Sequence, residues 1–286
     1  MSNSKKITYL KTLWGIDLKL NNSKELKTQL EIFKKDGFGG IELCTGFFDT
    51  KYKEMFNEAR KEVGLKLITQ IHTMGYPVNE ESVDKHLSDY KTKVEDAKTW
   101  DPVLINSHSG RDSWNYEERH KFFTEIEKFD FSASNKDTII THETHRRRVL
   151  CSPWIGNEIF NAFKKIKVTA DLTNWTVVAE RNMTNESDSY WDALLNNFAR
   201  RTYLIHARVG SPHQIQVRYP KDNCEDTEYF ENIWKTIVNK TEAKEVFITL
   251  EYGPEPFAIP KLQANEEKID LEETIKIGLE RLKRKL

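Results

Sequence analysis

The sequence predicts a (β/α)8 TIM barrel forming a single domain over residues 1–286. Three observations lead there. Eight short β-rich runs alternate with eight Lys/Glu-rich amphipathic stretches, an alternation that points to repeated βα units. The repeat spacing of about 25–45 residues suits a strand, a crossover helix and their loops. The main rival, a doubly wound open sheet, usually announces itself with a glycine-rich first turn. Here that turn reads Trp14-Gly15-Ile16-Asp17, with no G-x-G-x-x-G, and no Walker A loop follows anywhere.

The β-like runs are Tyr9–Ile16, Gly40–Leu43, Lys66–His72, Val103–His108, Thr138–Glu143, Lys167–Asp171, Thr202–His206 and Val246–Glu251. Most hold Val, Ile, Leu and Thr, as buried parallel strands do. After the first run, Ser23 can cap a helix in which Leu26, Leu30 and Phe33 recur at i, i+4 and i+7, and Gly37 can end it. Lys51–Val63 repeats the pattern and stops at Gly64. The last helix places Leu271, Ile275, Leu279, Leu282 and Leu286 on one face. No Pro/Gly/Ser linker or low-complexity segment divides the chain.

Bulk properties narrow the function. Charged residues are 31% of the chain and the net charge is −1, so no general attraction to nucleic acid or an anionic membrane is expected. No run of about 18 apolar residues exists to span a bilayer. The start, Met1 to Lys6, is polar and lacks the pattern of a secretory signal. Cys44, Cys151 and Cys224 are scattered and odd in number, which suits incidental thiols in a reducing, cytoplasmic setting. Hydrophobic residues are only 38%, but 11% of the chain is aromatic, enough for a core if the apolar residues concentrate in strands.

Active sites of TIM barrels lie at the C-terminal ends of the strands. Strands three to eight here end in His72, His108, Glu143, Asp171, His206 and Glu251, all metal-ligand or acid–base types. Residues two apart along a strand share a face, so Thr141, Thr169, Leu204 and Thr249 are the inward partners of the last four. Each of those strands thus becomes ionisable only at its mouth. Glu143, Asp171, His206 and Glu251 would together hold one divalent ion; Mn²⁺ is the expected one, and Mg²⁺, Co²⁺ or Zn²⁺ also fit. In the alternative reading they pair with one another or with barrel-mouth arginines. Three carboxylates so close would then repel and hold protons. For His72 and His108, substrate contact stands beside inner ligation and a purely structural role. His142 has the opposite parity and should face the helix layer. His86 and His120 lie in helical stretches, where a surface role is expected.

Four motifs carry a resemblance: Thr141-His142-Glu143-Thr144-His145-Arg146, Asp171-Leu172-Thr173-Asn174-Trp175, Ile205-His206-Ala207-Arg208-Val209-Gly210 and Glu251-Tyr252-Gly253-Pro254. In this order on strands five to eight, they resemble the xylose isomerase-like TIM barrel superfamily, which includes the sugar phosphate isomerases and epimerases. The resemblance implies that Glu143, Asp171, His206 and Glu251 hold the ion and that the two glutamates are the acid–base pair. It implies that Arg208 holds substrate oxygens. One departure concerns strand six, where related chains often read Asp-x-x-His-Trp and this one has Asn174. A superfamily rival, the DNA-repair AP endonuclease of the endonuclease IV type, needs three zinc ions and further His and Asp ligands, and Asn174 removes one of them.

The implied function is a metal-dependent isomerase or epimerase of a keto-sugar or sugar phosphate, acting through an enediolate. A lyase or dehydratase on an inosose or 3-keto-glycoside is the runner-up. A non-catalytic sugar-binding barrel is a third reading. Trp14, Trp154 and Trp175 are candidate apolar walls for a sugar ring, with His72, His108, Arg146, Arg208 and Asn174 as polar contacts. In the run Arg146-Arg147-Arg148, Arg146 lies nearest the strand-five motif; beyond strand seven, Gly210, His213 and Arg218 leave phosphate binding open. The expected partner is a small carbohydrate, with no nucleic acid or membrane; exposed aromatics in the strand-end loops would suit a homodimer.

Overall fold

A computed structural model describes residues 5–75, 81–133, 138–183, 189–219, 224–254 and 271–286. The polar start over residues 1–4 lies outside them. Eight parallel strands close into a barrel in chain order, β1 pairing with both β2 and β8. They are β1 Lys6–Thr12, β2 Gly40–Cys44, β3 Lys66–His72, β4 Leu104–His108, β5 Ile139–Glu143, β6 Val168–Ala170, β7 Thr202–His206 and β8 Glu245–Leu250. The connecting helices are α1 Ser23–Lys35, α2 Lys53–Val63, α3 Val83–Lys98, α4 Tyr116–Ala133, α5 Pro153–Ala162, α6 Leu172–Ala179, α7 Ser189–Arg200 and α8 Glu225–Lys240, with α9 Leu271–Lys285 after β8. Among the described residues, no helix is long and apolar enough to cross a membrane.

The alternation of side chains puts a small apolar floor inside the barrel and the main core outside it. Leu10, Ile68, Leu104, Leu204 and Phe247 fill the floor. One step higher, Thr141 Oγ1 and Thr169 Oγ1 meet at 2.7 Å. Above these threonines the interior turns ionisable. A large core joins the outward strand faces to the helices, including Leu26, Leu30 and Phe33 of α1.

Element boundaries shift for local reasons. β1 stops at Thr12, four residues before the expected Ile16, because Gly15 turns the chain at φ +76° and Ile16 N–H bonds back to Leu13 O. Asn22, not Ser23, caps α1: its side chain accepts from the N–H groups of Lys24 and Glu25. As expected, Gly37 ends α1 just past the Asp36 cap, at φ +99°, and Gly64 caps α2 in the left-handed region. Asp171 and Glu251 stand one residue beyond β6 and β8.

Two histidines are held between barrel and helices. His142 faces outward, its Nε2 2.8 Å from Asp130 Oδ2 and its Nδ1 2.7 Å from Ser109 Oγ. Tyr90 OH donates to the other Asp130 oxygen at 2.5 Å. Ser109 and His142 are buried away from any opening, so this Ser-His-Asp line braces the fold. His142→Phe is expected to destabilise the protein by about 1–3 kcal/mol in chemical denaturation, because Ser109 and Asp130 each lose one buried partner. His86 corrects the expectation of a surface role. It is fully buried, bonded through Nδ1 to Thr73 Oγ1 at 2.8 Å and set edge-on to Trp114. Burial pushes its imidazole down to about 4. The register showed it: Val83, His86, Leu87, Tyr90 and Val94 form one helical stripe. His120 is half-buried, stacked on Tyr116 and 3.0 Å from Glu158.

Candidate active site at the barrel mouth

Glu143 ends β5 and His206 ends β7, while Asp171 caps α6 and Glu251 follows β8. All four are buried, and one ligand atom from each lies within 4.8 Å of the others. His206 stands between the glutamates, its Nδ1 3.0 Å from Glu251 Oε2 and 3.7 Å from Glu143 Oε1. Neither His206 Nδ1 nor Glu143 Oε1 has a hydrogen-bond partner, although both are buried. Three carboxylates, one imidazole and two orphaned lone-pair atoms fit a hard or borderline divalent ion.

Around this set lie residues that strand-end reading did not find. Glu42, inside β2, faces into the barrel, with Oε1 3.0 Å from His206 Nε2. Gln70 Nε2 donates to the same oxygen at 2.9 Å, and Thr249 Oγ1 donates to the other. The signal was a lone carboxylate within the apolar run Gly40-Ile41-Glu42-Leu43. A carboxylate on Nε2 fixes the proton there and turns Nδ1 toward the site. Asn106 Nδ2 donates to Glu143 Oε2 at 2.6 Å.

Burial alone would strip the proton from His206, but Glu251, Glu42 and Glu143 outweigh it and hold the imidazole well above its ordinary range. Burial pushes the Glu143 carboxyl up. It acts on Glu251 too, where His206 and Arg208 overcome it and hold the carboxyl well below the usual range. Arg208 lies against Asp171 and 3.5 Å from Glu251 Oε2. The opposite oxygen of Asp171 accepts from Thr173 N–H at 3.2 Å and Thr173 Oγ1 at 2.5 Å. Asp171 can therefore join an ion once Arg208 yields.

Asn174 braces this arrangement: Nδ2 donates to Asp171 Oδ2 at 2.8 Å and Oδ1 accepts from Arg146 N–H at 3.1 Å. His72, His108 and His145 form a row, with ring centroids 4.1 and 4.3 Å apart. Burial is the first cause that keeps all three neutral, taking His72 down to about 2, His145 to about 3 and His108 well below its ordinary value. His145 belongs to the strand-five motif, whose pattern assigns it no role of its own.

A cavity of about 740 Å³ opens over these groups. Trp14, His72, His108, Arg146, Asn174, Arg208 and Glu251 line it, together with His145 and Arg147. Trp14 sits over Gly253, where an added Cβ would come within 2.2 Å of the indole, so this motif position requires glycine. Two expected wall residues lie elsewhere. Trp175 is fully buried between Phe160 and Phe198 with Nε1 donating to Leu150 O, and Trp154 stands half-exposed outside the cavity lining. His213 and Arg218 also stay outside the lining. Arg148 is buried, donating to the carbonyls of Thr73, Gly75 and Gly110 and thus tying the β3 and β4 loops together.

No protein-family model matches the chain, and no curated protein matches it. Solved structures do. A xylose isomerase-like TIM barrel protein from Mycobacterium smegmatis in complex with magnesium shares 10% identity over 99% of this chain and 96% of its own, with a TM-score of 0.58. A D-allulose 3-epimerase from Methylomonas sp. in complex with D-allulose shares 14% over 99% and 98%, with a TM-score of 0.64. The probable 3-DHS dehydratase AsbF involved in petrobactin synthesis from Bacillus anthracis shares 11% over 96% and 98%, with a TM-score of 0.58. The structural neighbours are thus xylose isomerase-like TIM barrels, sugar epimerases among them. At these identities the likeness is one of fold.

Proposed function

We propose that the chain is a metal-dependent epimerase or isomerase of keto-sugars. One observation carries the reading. Glu143 and Glu251 flank His206 in a single buried set with Asp171, beneath an open cavity. These four residues would hold the ion, with Mn²⁺ or Mg²⁺ best matched to the carboxylates. A bound divalent ion would polarise the substrate carbonyl and stabilise the enediolate left when the adjacent C–H proton departs. The protein's own part is proton transfer and positioning. Two carboxylates on either side of His206 are placed to act as an acid–base pair on the substrate. Arg208 would balance negative charge on substrate oxygens, while Trp14 supplies an apolar wall.

The likeness to a D-allulose 3-epimerase supports this choice of chemistry. The likeness to a probable 3-DHS dehydratase favours one second reading, elimination of a hydroxyl next to the polarised carbonyl. Both reactions begin by removing the same proton. The test is solvent deuterium uptake across a panel of ketoses, inososes and 3-keto-glycosides in the ion-loaded protein. Uptake with retained carbon skeleton and oxygen count supports epimerisation or isomerisation. Dehydrated product supports elimination, and neither outcome across the panel leaves a binding barrel.

A further inference from the structure

We propose that the keto-sugar taken by this barrel carries an apolar substituent, an aryl or alkyl aglycone, which lies on an apolar flank of the cavity. The ring itself rests on the keto-sugar reading above; the added claim is the class of group attached to it. The flank consists of Trp14, Ile16, Leu18 and Leu20 after β1 and of Phe47 and Phe48 after β2, all of which line the cavity.

The first of these loops carries the pattern in its sequence. Along Trp14-Gly15-Ile16-Asp17-Leu18-Lys19-Leu20 the large apolar residues take every second position. An extended chain sends alternate side chains to opposite sides. Accordingly the four apolar side chains are half-buried, while Gly15, Asp17 and Lys19 are exposed. Gln29 of α1 pins the segment: its Nε2 donates to Asp17 O at 2.9 Å, and its Oε1 accepts from Lys19 N–H at 3.1 Å. In the second loop, Phe48 is wedged against Phe56 and Trp100, with ring centroids 5.2 Å from each. Its neighbour Phe47 stays 79% exposed, its ring nearly perpendicular to that of His72 with centroids 6.0 Å apart. The flank thus reaches from the histidine row out to solvent.

A bare sugar is poorly matched to this surface. It carries a hydroxyl on nearly every carbon, and a hydroxyl pressed on hydrocarbon without a partner opposes binding. One indole is enough to stack on the face of a ring, which leaves five further apolar side chains unexplained. Polar groups on the same loops are engaged among themselves. Asp17 pairs with Lys19 at 3.0 Å, Asp49 pairs with Lys51 at 2.7 Å, and Thr12 Oγ1 accepts from Trp14 N–H at 3.1 Å. Partners for a carbonyl and hydroxyls come from the other side of the mouth, where His72, His108, Arg146, Asn174, Arg208 and Glu251 follow β3 to β8. A cavity of about 740 Å³ also has room for more than one ring, since pockets of roughly 300–1,000 Å³ take drug-sized ligands.

The test is equilibrium binding of methyl, phenyl and hexyl β-D-glucopyranoside to the ion-loaded full chain. The sugar is constant and has no free carbonyl, so no probe is enolised. Wild type is expected to bind the phenyl or the hexyl probe about 10–100-fold more tightly than the methyl one, and the tighter of the two tells aryl from alkyl. Phe47→Ser and Leu18→Ser should each lower that ratio about three- to tenfold. A variant that merely loosens the fold lowers all affinities alike and leaves the ratio unchanged. Equal affinities for the three probes, or no measurable binding of any, overturn the inference. So does a ratio unchanged in both variants, because the apolar group then sits elsewhere. Deuterium uptake into free ketoses together with equal probe affinities sinks this inference and leaves the proposed function standing. Preference for the apolar probes without uptake into any ketose keeps the flank and sinks the proposed function.

Discussion

The Glu143→Ala/Glu251→Ala protein is expected to emerge from purification without the divalent ion proposed for wild type, and to recover none on dialysis. Two of four donors are gone, and they are the two that flank His206. Losing a mere outer-shell partner of a metal site costs roughly 10–100-fold in affinity, so losing two ligands should exceed that range. The alanines also take one of two carboxylates from Arg208 and two of the three charges that hold the His206 proton, which costs stability in its own right. The Glu143→Gln/Glu251→Gln variant keeps the shape of both side chains and one acceptor oxygen on each, so it removes the charge without opening a cavity. Metal content per chain and the melting temperature with and without added ion are the measurements. Wild type at a free ion concentration of 100 times Kd should gain about 2.7 kcal/mol of stability. Equal metal content in wild type and both double variants would sink the site.

The barrel and the four-residue set could be read from the chain because both rest on simple periodicities. Strand parity places Thr141 and Glu143 on one face, and Leu204 with His206, whatever lies between the strands. The floor containing Leu204 and the mouth containing His206 follow from that rule. Glu42 was not legible from the strand ends, because it sits third in a five-residue strand. Its partner, His206, is 164 positions away, and only barrel closure brings them together. His145 escaped for another reason: it lies past β5, in a loop whose direction no periodicity fixes. Trp175 misled in the opposite sense. Its nearness to Asp171 in sequence suggested the mouth, but α6 begins at Leu172 and its first turn carries the indole down into the core.

Opposed demands on His206 make Glu42 the most consequential residue outside the ligand set. The fields of Glu251, Glu42 and Glu143 outweigh burial and favour the protonated imidazole. With an ion, Nδ1 must give up that proton. Ion binding should therefore release a proton, and the logarithm of affinity should rise by about one per pH unit until pH passes the raised value of His206. For the ion-free protein the sign runs the other way. A raised pKa contributes stability that is fully present below the unfolded-state value and is lost as pH rises through the folded one. The ion thus restores stability in the pH range where the proton no longer does. Glu42→Gln weakens both sides of this exchange. It removes one of the charges that favour the proton, so the rise of affinity with pH should end at lower pH. It also loosens the hold on Nε2, so the limiting affinity at high pH should fall roughly 10–100-fold. Calorimetric titration with Mn²⁺ at several pH values, in wild type and Glu42→Gln, measures both changes. Identical profiles would mean that Glu42 merely fills the barrel. A shifted profile with unchanged limiting affinity would mean that its charge acts on His206 while Gln70 and Thr249, its neighbours in the barrel, suffice to hold the ring.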